Sequence, residues 1–279
     1  MSFSASWLAL REPADHRARD CALADRLALH LAQHPTARLL DLGCGSGSNL
    51  RALAPVLGQR QNWTLVDYDA ALLTAARDAL MAWADQAETS SDALVLMKQG
   101  REIKVRFQQA DLSQGLQPLL ASKPHCVTAS ALFDLCSTNF IAQAVHDIAQ
   151  SGAAFYTVLT YDGVERWYPP HASDETVLAA FIAHQKTDKG FGISAGPDAP
   201  DALTQGFQRE GYAVFEASTP WQLEAPRDGT LMAELARGIA AAAHETGQCQ
   251  PAMVQEWLTA RVAATHAAIG HRDLLALPR

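Results

Sequence analysis

The stretch Asp41-Leu42-Gly43-Cys44-Gly45-Ser46-Gly47 decides how this chain folds. It follows Ala37-Arg38-Leu39-Leu40, a short apolar run that reads as a buried strand entering a glycine-rich turn. A helix is expected next, over residues 48–57. Glycine lets a backbone turn tightly and lets a ligand approach it closely. The first turn of the following helix offers free N–H groups to a carboxylate or a phosphate. Strand, glycine turn and helix in this order open a parallel α/β sheet.

Upstream, Leu23, Leu27 and Leu31 recur every four residues beside Ala24 and Ala28, which predicts a helix over 17–33 that Pro35 ends. It belongs to an N-terminal helical segment, 1–35, in which Leu10-Arg11-Glu12-Pro13-Ala14-Asp15 sets dense charge before the helix. Downstream, Trp63-Thr64-Leu65-Val66-Asp67 reads as the second strand and 70–84 as an Ala- and Leu-rich helix. The polar stretch 88–92 reads as a loop. Strands are expected at 103–109, 125–131 and 153–160, with a helix over 140–150. Strand and helix alternate, so the expected fold is one α/β domain over 1–279. Its centre is a doubly wound, seven-stranded, mostly parallel sheet.

After Thr160 the rhythm changes. Pro169-Pro170 interrupts the chain, and 174–186 reads as a helix with Ser173 as its N-cap. Residues 189–200 carry three glycines and two prolines and read as a mobile loop. A helix at 201–210 and a strand at 212–218 return to the sheet. Leu231, Leu235 and Ile239 form one helical stripe, and Val254, Trp257, Leu258 and Val262 another. A last strand is expected at 271–277. Residues 161–200 and 226–269 are thus read as helical cap insertions, with Gly190, Gly192 and Gly196 as hinges of a lid.

Composition narrows the partners. A net charge of -8 disfavours phosphate backbones and anionic membrane surfaces. No apolar run is long enough to span a membrane. The 5 cysteines are widely spaced, with no metal-ligand pattern, so no metal is expected; reduced thiols of a cytoplasmic protein are.

Spacing then selects the ligand class for the glycine loop. A dinucleotide loop needs Gly-x-Gly-x-x-Gly. Counted from Gly43 the third glycine falls on Ser48, and counted from Gly45 it falls on Leu50, so neither register works. An acid at the strand end, Asp41, suits an ammonium group and repels a pyrophosphate. That combination favours S-adenosylmethionine over a nicotinamide dinucleotide.

At these residues the chain resembles the class I S-adenosylmethionine-dependent methyltransferases. Asp41 to Gly47 is similar to that family's first motif, including Gly43, Cys44, Gly45 and Gly47. Val66-Asp67-Tyr68-Asp69 is similar to the second, whose acid holds the ribose hydroxyls; Asp67 is the better match, since Asp69 already lies in the turn. Ala110-Asp111-Leu112 is similar to the third, whose Asp meets the adenine amino group. Ala129-Ser130-Ala131-Leu132 falls where the fourth strand passes the methionine end. The resemblance covers about 36–160 and resumes in the last strands. It implies a Rossmann-like fold, S-adenosylmethionine as cofactor and methyl transfer as activity. Plainer readings stand beside each match: Asp67 and Asp69 as helix caps, Asp111 as a turn residue, Cys44 as a small spacer.

Substrate is expected at the carboxyl ends of the strands. The candidates are Asp134 after the fourth strand and Tyr161, Arg166 and Trp167 after the fifth. Asp134 equally fits a helix cap, and Trp167 equally fits packing of the inserted helix. His171 and His184 read as surface residues. The family's Asn/Asp-Pro-Pro-Tyr signature is absent, which with the acidic charge argues against DNA but leaves RNA and protein open; the expected lid over the pocket is what suggests a small-molecule acceptor. Two alternatives remain open at this stage: a non-catalytic S-adenosylmethionine-binding regulator and a nicotinamide-dependent oxidoreductase. Sequence leaves the accepting atom, any general base and the oligomeric state open.

Overall fold

The computed structural model describes residues 3–90 and 92–279. The chain opens with α1 (Ala5–Ala18) and α2 (Cys21–Leu31), followed by β1 (Ala37–Leu42), α3 (Ser48–Leu53), β2 (Arg60–Asp67) and α4 (Ala70–Trp83). Next come β3 (Gln86–Thr89), β4 (Leu94–Lys98), β5 (Arg101–Gln109), α5 (Gln117–Leu120), β6 (Cys126–Ser130), α6 (Thr138–Ser151) and the long β7 (Ala154–Tyr168). The remainder is α7 (Asp174–Gln185), α8 (Ala199–Arg209), β8 (Ala213–Ser218), β9 (Trp221–Glu224), α9 (Ala225–Glu245), α10 (Pro251–Val262) and β10 (His266–Leu277).

The strands form one sheet in the order β3-β4-β5-β2-β1-β6-β7-β10-β8, with β9 also paired to β10. The centre, β5-β2-β1-β6-β7, is parallel throughout. Both flanks are antiparallel. Successive strand residues face opposite helix layers, as the pleat requires. Leu39, Leu65, Tyr156 and Leu275 join one core with α2, α3 and α4; Leu40, Val66, Phe155 and Leu274 join the other with α6 and α8. Burial on both faces explains why β1, β6 and the first half of β7 read as apolar runs, while β2 and β5 alternate.

The ten strands exceed the seven expected, by β3, β4 and β9. The seven others, β5-β2-β1-β6-β7-β10-β8, make the doubly wound sheet that the alternation predicts. β3 is a polar edge strand in which no residue is buried, so no apolar alternation marks it. Residues 88–89, read as loop, belong to it. Strand β7 continues to Tyr168 and β10 starts at His266, so each runs beyond its expected bounds into the proposed insertions. Their long ribbon shifts register at irregularities near Gly270 and Asp273.

The N-terminal segment also differs. The charged stretch 10–15 is helical, with Pro13 inside α1. The single helix expected over 17–33 breaks at Arg19–Asp20. There the Asp20 side chain accepts a hydrogen bond from Leu23 N–H at 2.8 Å and caps α2. A local cap overrides the continuous leucine spacing.

Candidate functional site

The order of the strands reverses between β1 and β6: the chain winds outward to β2 and β5 from one side, then to β7 from the other. Ligands of open α/β sheets bind in the crevice at the strands' carboxyl ends beside such a reversal. A cleft of about 380 Å³ lies there.

The glycine loop forms its floor. Gly43 and Gly45 have φ of +61° and +53°, a region that side chains seldom adopt. A Cβ on Gly43 would lie 3.1 Å from Leu132 Cδ1, and one on Gly45 would lie 2.9 Å from Leu8 Cδ1. The loop is therefore clasped between the segment after β6 and helix α1, with backbone exposed to the cleft. Asp67, at the end of β2, accepts from Gly45 N–H at 2.8 Å and from Asp69 N–H at 3.0 Å. Asp69 accepts from Ala71 N–H at 2.8 Å and caps α4, yet it also lines the cleft. Asp111 accepts from the Ser113 hydroxyl at 2.6 Å and the Ser113 N–H at 2.9 Å, which together hold its carboxyl below the usual range.

Of the residues expected to hold a cofactor, Gly43, Cys44, Gly45, Asp67, Tyr68, Asp111, Leu112 and Ser130 line this cleft. Asp41 and Gly47 do not. Gly47 faces Ala76, Leu80 and Arg51 at the head of α3. Asp41 has no exposed surface; Asn49 covers it, donating to its Oδ1 at 2.7 Å, and Asn49 is what the cleft meets. Asp41 therefore has no surface on the cleft with which to meet the ammonium group expected from sequence, and its carboxyl meets Asn49 instead. Cys44 is buried, and desolvation with Asp41 and Asp67 nearby pushes its thiol well above its ordinary range, which makes it a poor nucleophile.

Burial pushes the Asp41 carboxyl up to about 7, and its Oδ2 has no partner. A folded-state pKa above the unfolded one means that folding takes up a proton. The resulting stability is fully present below about pH 4 and is lost as pH rises through about 7. Asp41→Asn should abolish this component. Stability by denaturant unfolding should fall with pH in the native protein, by at most about 1.4 kcal/mol per pH unit relative to the variant. Parallel curves for the two proteins between pH 4 and 7 would refute the assignment.

The expected substrate residues lie outside the cleft. Asp134 sits behind Leu132 and Leu135, which do line it; Asp134 is buried, its Oδ1 has no partner, and burial raises its carboxyl to about 6. Tyr161 is buried and donates its hydroxyl to Glu165 at 2.9 Å. Trp167 packs edge-on against Trp257, centroids 6.2 Å apart, so it joins the inserted helices to β7. Arg166 is exposed on β7, paired with Ala268. These three lie within β7, which continues to Tyr168 as a strand paired with β10, a course the apolar pattern did not reveal.

Other residues line the cleft, and of these the sequence reading singled out only Arg11 and Asp15, within the charged stretch 10–15. Leu8, Arg11 and Asp15 come from α1, and Lys189 and Phe191 from the loop after α7. Helix α1 is tied to the glycine loop: Arg51 donates to Glu12 at 2.8 Å and to the Ser46 carbonyl at 2.8 Å. His16 Nε2 lies 3.0 Å from Ser48 Oγ. Arg11 forms a two-point ion pair with Asp15 and lies over the Trp221 ring, 5.0 Å from its centroid. The charge density at 10–15 was the one available signal, and its purpose is visible only once α1 is docked. Among the described residues, no cluster of three or more His, Cys, Asp or Glu is placed to hold a metal.

No protein-family model matches the chain, and no curated protein matches its sequence. Solved structures do share its architecture. The YcgJ protein from Bacillus subtilis aligns with a TM-score of 0.51 at 13% identity, covering 93% of this chain and 99% of that one. A cyclopropane-fatty-acyl-phospholipid synthase-like protein from Lactobacillus casei ATCC 334 aligns with a TM-score of 0.54 at 18% identity, covering 99% and 95%. With the strand order above, the chain shares with these structures a Rossmann-like α/β fold with a mostly parallel central sheet.

Proposed function

We propose that this protein is an S-adenosylmethionine-dependent methyltransferase acting on a small-molecule acceptor. The carrying observation is that Gly43, Gly45, Asp67 and Asp111, distant in sequence, meet in one cleft at the reversal of strand order. A cradle that side chains at positions 43 and 45 would crowd fits a ligand lying close on the backbone.

When bound, S-adenosylmethionine supplies a methyl group already activated on a sulfonium. The protein's residues bind and orient. Asp67 lies at the end of β2, where the second motif places the ribose hydroxyls. Asp111 and Leu112 flank the adenine end, with Tyr68, 71% exposed, beside them. Asn49 and Ser130 face the methionine end, with Asp41 holding Asn49 from below. Leu8, Leu132, Leu135 and Phe191 exclude water and align the acceptor with the S–CH₃ bond. Reach-over by α1 and the loop after α7 favours a small acceptor over a flat macromolecular surface.

Two measurements test this. S-adenosylhomocysteine should raise the melting temperature, and NAD should not; the opposite result would revive the oxidoreductase reading. Incubation with labelled S-adenosylmethionine and a metabolite panel should transfer label. Tight cofactor binding with no transfer to any acceptor would favour a binding or regulatory role.

A further inference from the structure

We infer that Lys189 anchors an anionic group, a carboxylate or a phosphate, carried by the otherwise apolar methyl acceptor. This rests on the methyltransferase reading above and specifies its substrate.

Two cationic side chains line the cleft, Arg11 and Lys189. Arg11 is matched to Asp15. Lys189 is only 8% exposed and makes no direct ion pair among the described residues; the carboxylate that favours its charge, Glu245, stands behind His184. Its single polar contact is His184 Nδ1, 3.5 Å from Nζ. The other ring nitrogen of His184 lies 3.0 Å from Glu245 Oε2. With Nε2–H donated to that carboxylate, Nδ1 presents a lone pair, which aims the ammonium without neutralising it. An ammonium has three donors, so two are left for a ligand. A nearly buried ammonium whose nearest carboxylate stands beyond an intervening imidazole is incompletely compensated, and an arriving anion makes good the remainder. Burial accordingly lowers the Lys189 pKa.

The position selects the acceptor and not the cofactor's nucleoside. The carboxylates of the cleft, Asp67, Asp69 and Asp111, stand at the β2 and β5 ends. Lys189 comes from the loop fastened beside the exit of β6: Ala195 N–H donates to the Cys136 carbonyl at 2.7 Å, and Ser194 bridges to Ser137. Asp188 stiffens the turn by accepting from Gly190 N–H at 2.7 Å and Gly192 N–H at 3.0 Å. Leu132, Leu135 and Phe191 surround this end of the cleft, so one charge is set in an apolar frame. Such a frame discriminates by its polar group, because a neutral analogue leaves the buried ammonium unpaired.

The test uses the full chain saturated with S-adenosylhomocysteine. Calorimetric titrations compare aryl and alkyl carboxylates with their amides, and phosphate monoesters with their alcohols. The anionic members should bind about tenfold or more tighter than their neutral partners, a preference that Lys189→Met removes and Lys189→Arg partly restores. The two arms tell a carboxylate from a phosphate. S-adenosylhomocysteine affinity should change by less than about twofold in Lys189→Met. Equal binding of neutral partners, no binding by any member, or a preserved preference in Lys189→Met would overturn the inference. So would a large loss of S-adenosylhomocysteine affinity in that variant, which would assign the ammonium to the cofactor's own carboxylate. If the native protein failed to bind S-adenosylhomocysteine at all, the cofactor reading would fall and this inference with it.

Discussion

Asp67→Ala is expected to weaken S-adenosylhomocysteine binding by about 100-fold, and Asp69→Ala by less than about tenfold. The two acids are two residues apart and both line the cleft, so the difference must come from their surroundings. Asp67 accepts the Gly45 N–H and the Asp69 N–H, and so it fixes the glycine loop as well as facing the ligand. Its removal takes away the ligand's acceptor and frees a glycine-rich loop that has wide conformational freedom once the Gly45 N–H is unpinned. Asp69 spends its carboxylate on the first turn of α4, where its loss costs local helix stability first. Titration calorimetry on both variants decides the matter. Equal losses would mean that Asp67 is not the residue that reads the ribose.

Asp273→Ala is expected to destabilise the fold by about 3–5 kcal/mol. Asp273 has no exposed surface and accepts three hydrogen bonds: from Asp20 N–H at 3.0 Å, Leu159 N–H at 2.9 Å and Thr219 Oγ1–H at 2.9 Å. The carboxylate thus joins β10 to the start of α2, to β7 and to the approach to β9. Leu159 is held at φ +58°, an unfavourable conformation for a branched residue, which this hydrogen bond helps to hold. Alanine leaves three buried or half-buried donors without partners. Urea unfolding measures the loss; Asp273→Asn, which keeps an acceptor of the same shape, should lose less. A loss below about 1 kcal/mol in the alanine variant would show that water replaces the carboxylate.

Much of the central architecture was legible because its cause is local. Asp41 to Gly47 must turn after a buried strand, and its glycines adopt the positive φ that their spacing suggested. The parallel strands β1 and β6 are buried on both faces and so carry near-continuous apolar runs, whereas β2 and β5 show an alternating pattern. Edge strands were not legible. β3 buries nothing, and β9 has four residues, too few to show a period.

The cleft divides along the same line. Gly43, Gly45, Asp67 and Asp111 were readable because each sits at the carboxyl end of a strand, and a parallel sheet brings such ends together whatever lies between them in sequence. Asp41 was readable as an acid but not as a buried one; its position under Asn49 depends on the side chain of a helix residue eight positions later. Tyr161 and Trp167 were placed wrongly relative to the cleft because β7 continues as a ribbon with β10, and pairing between strands about a hundred residues apart leaves no local mark.

By itself the sequence determined the sheet's parallel centre, the glycine loop and the acids at the strand ends, since backbone φ and burial act within a few residues. Only the tertiary structure decided what covers that loop. The Glu12–Arg51 pair brings α1 over it, and the Ser137–Ser194 bridge brings Lys189 beside it. Both are contacts between segments with no common period, at distances that the packing of the whole fold sets.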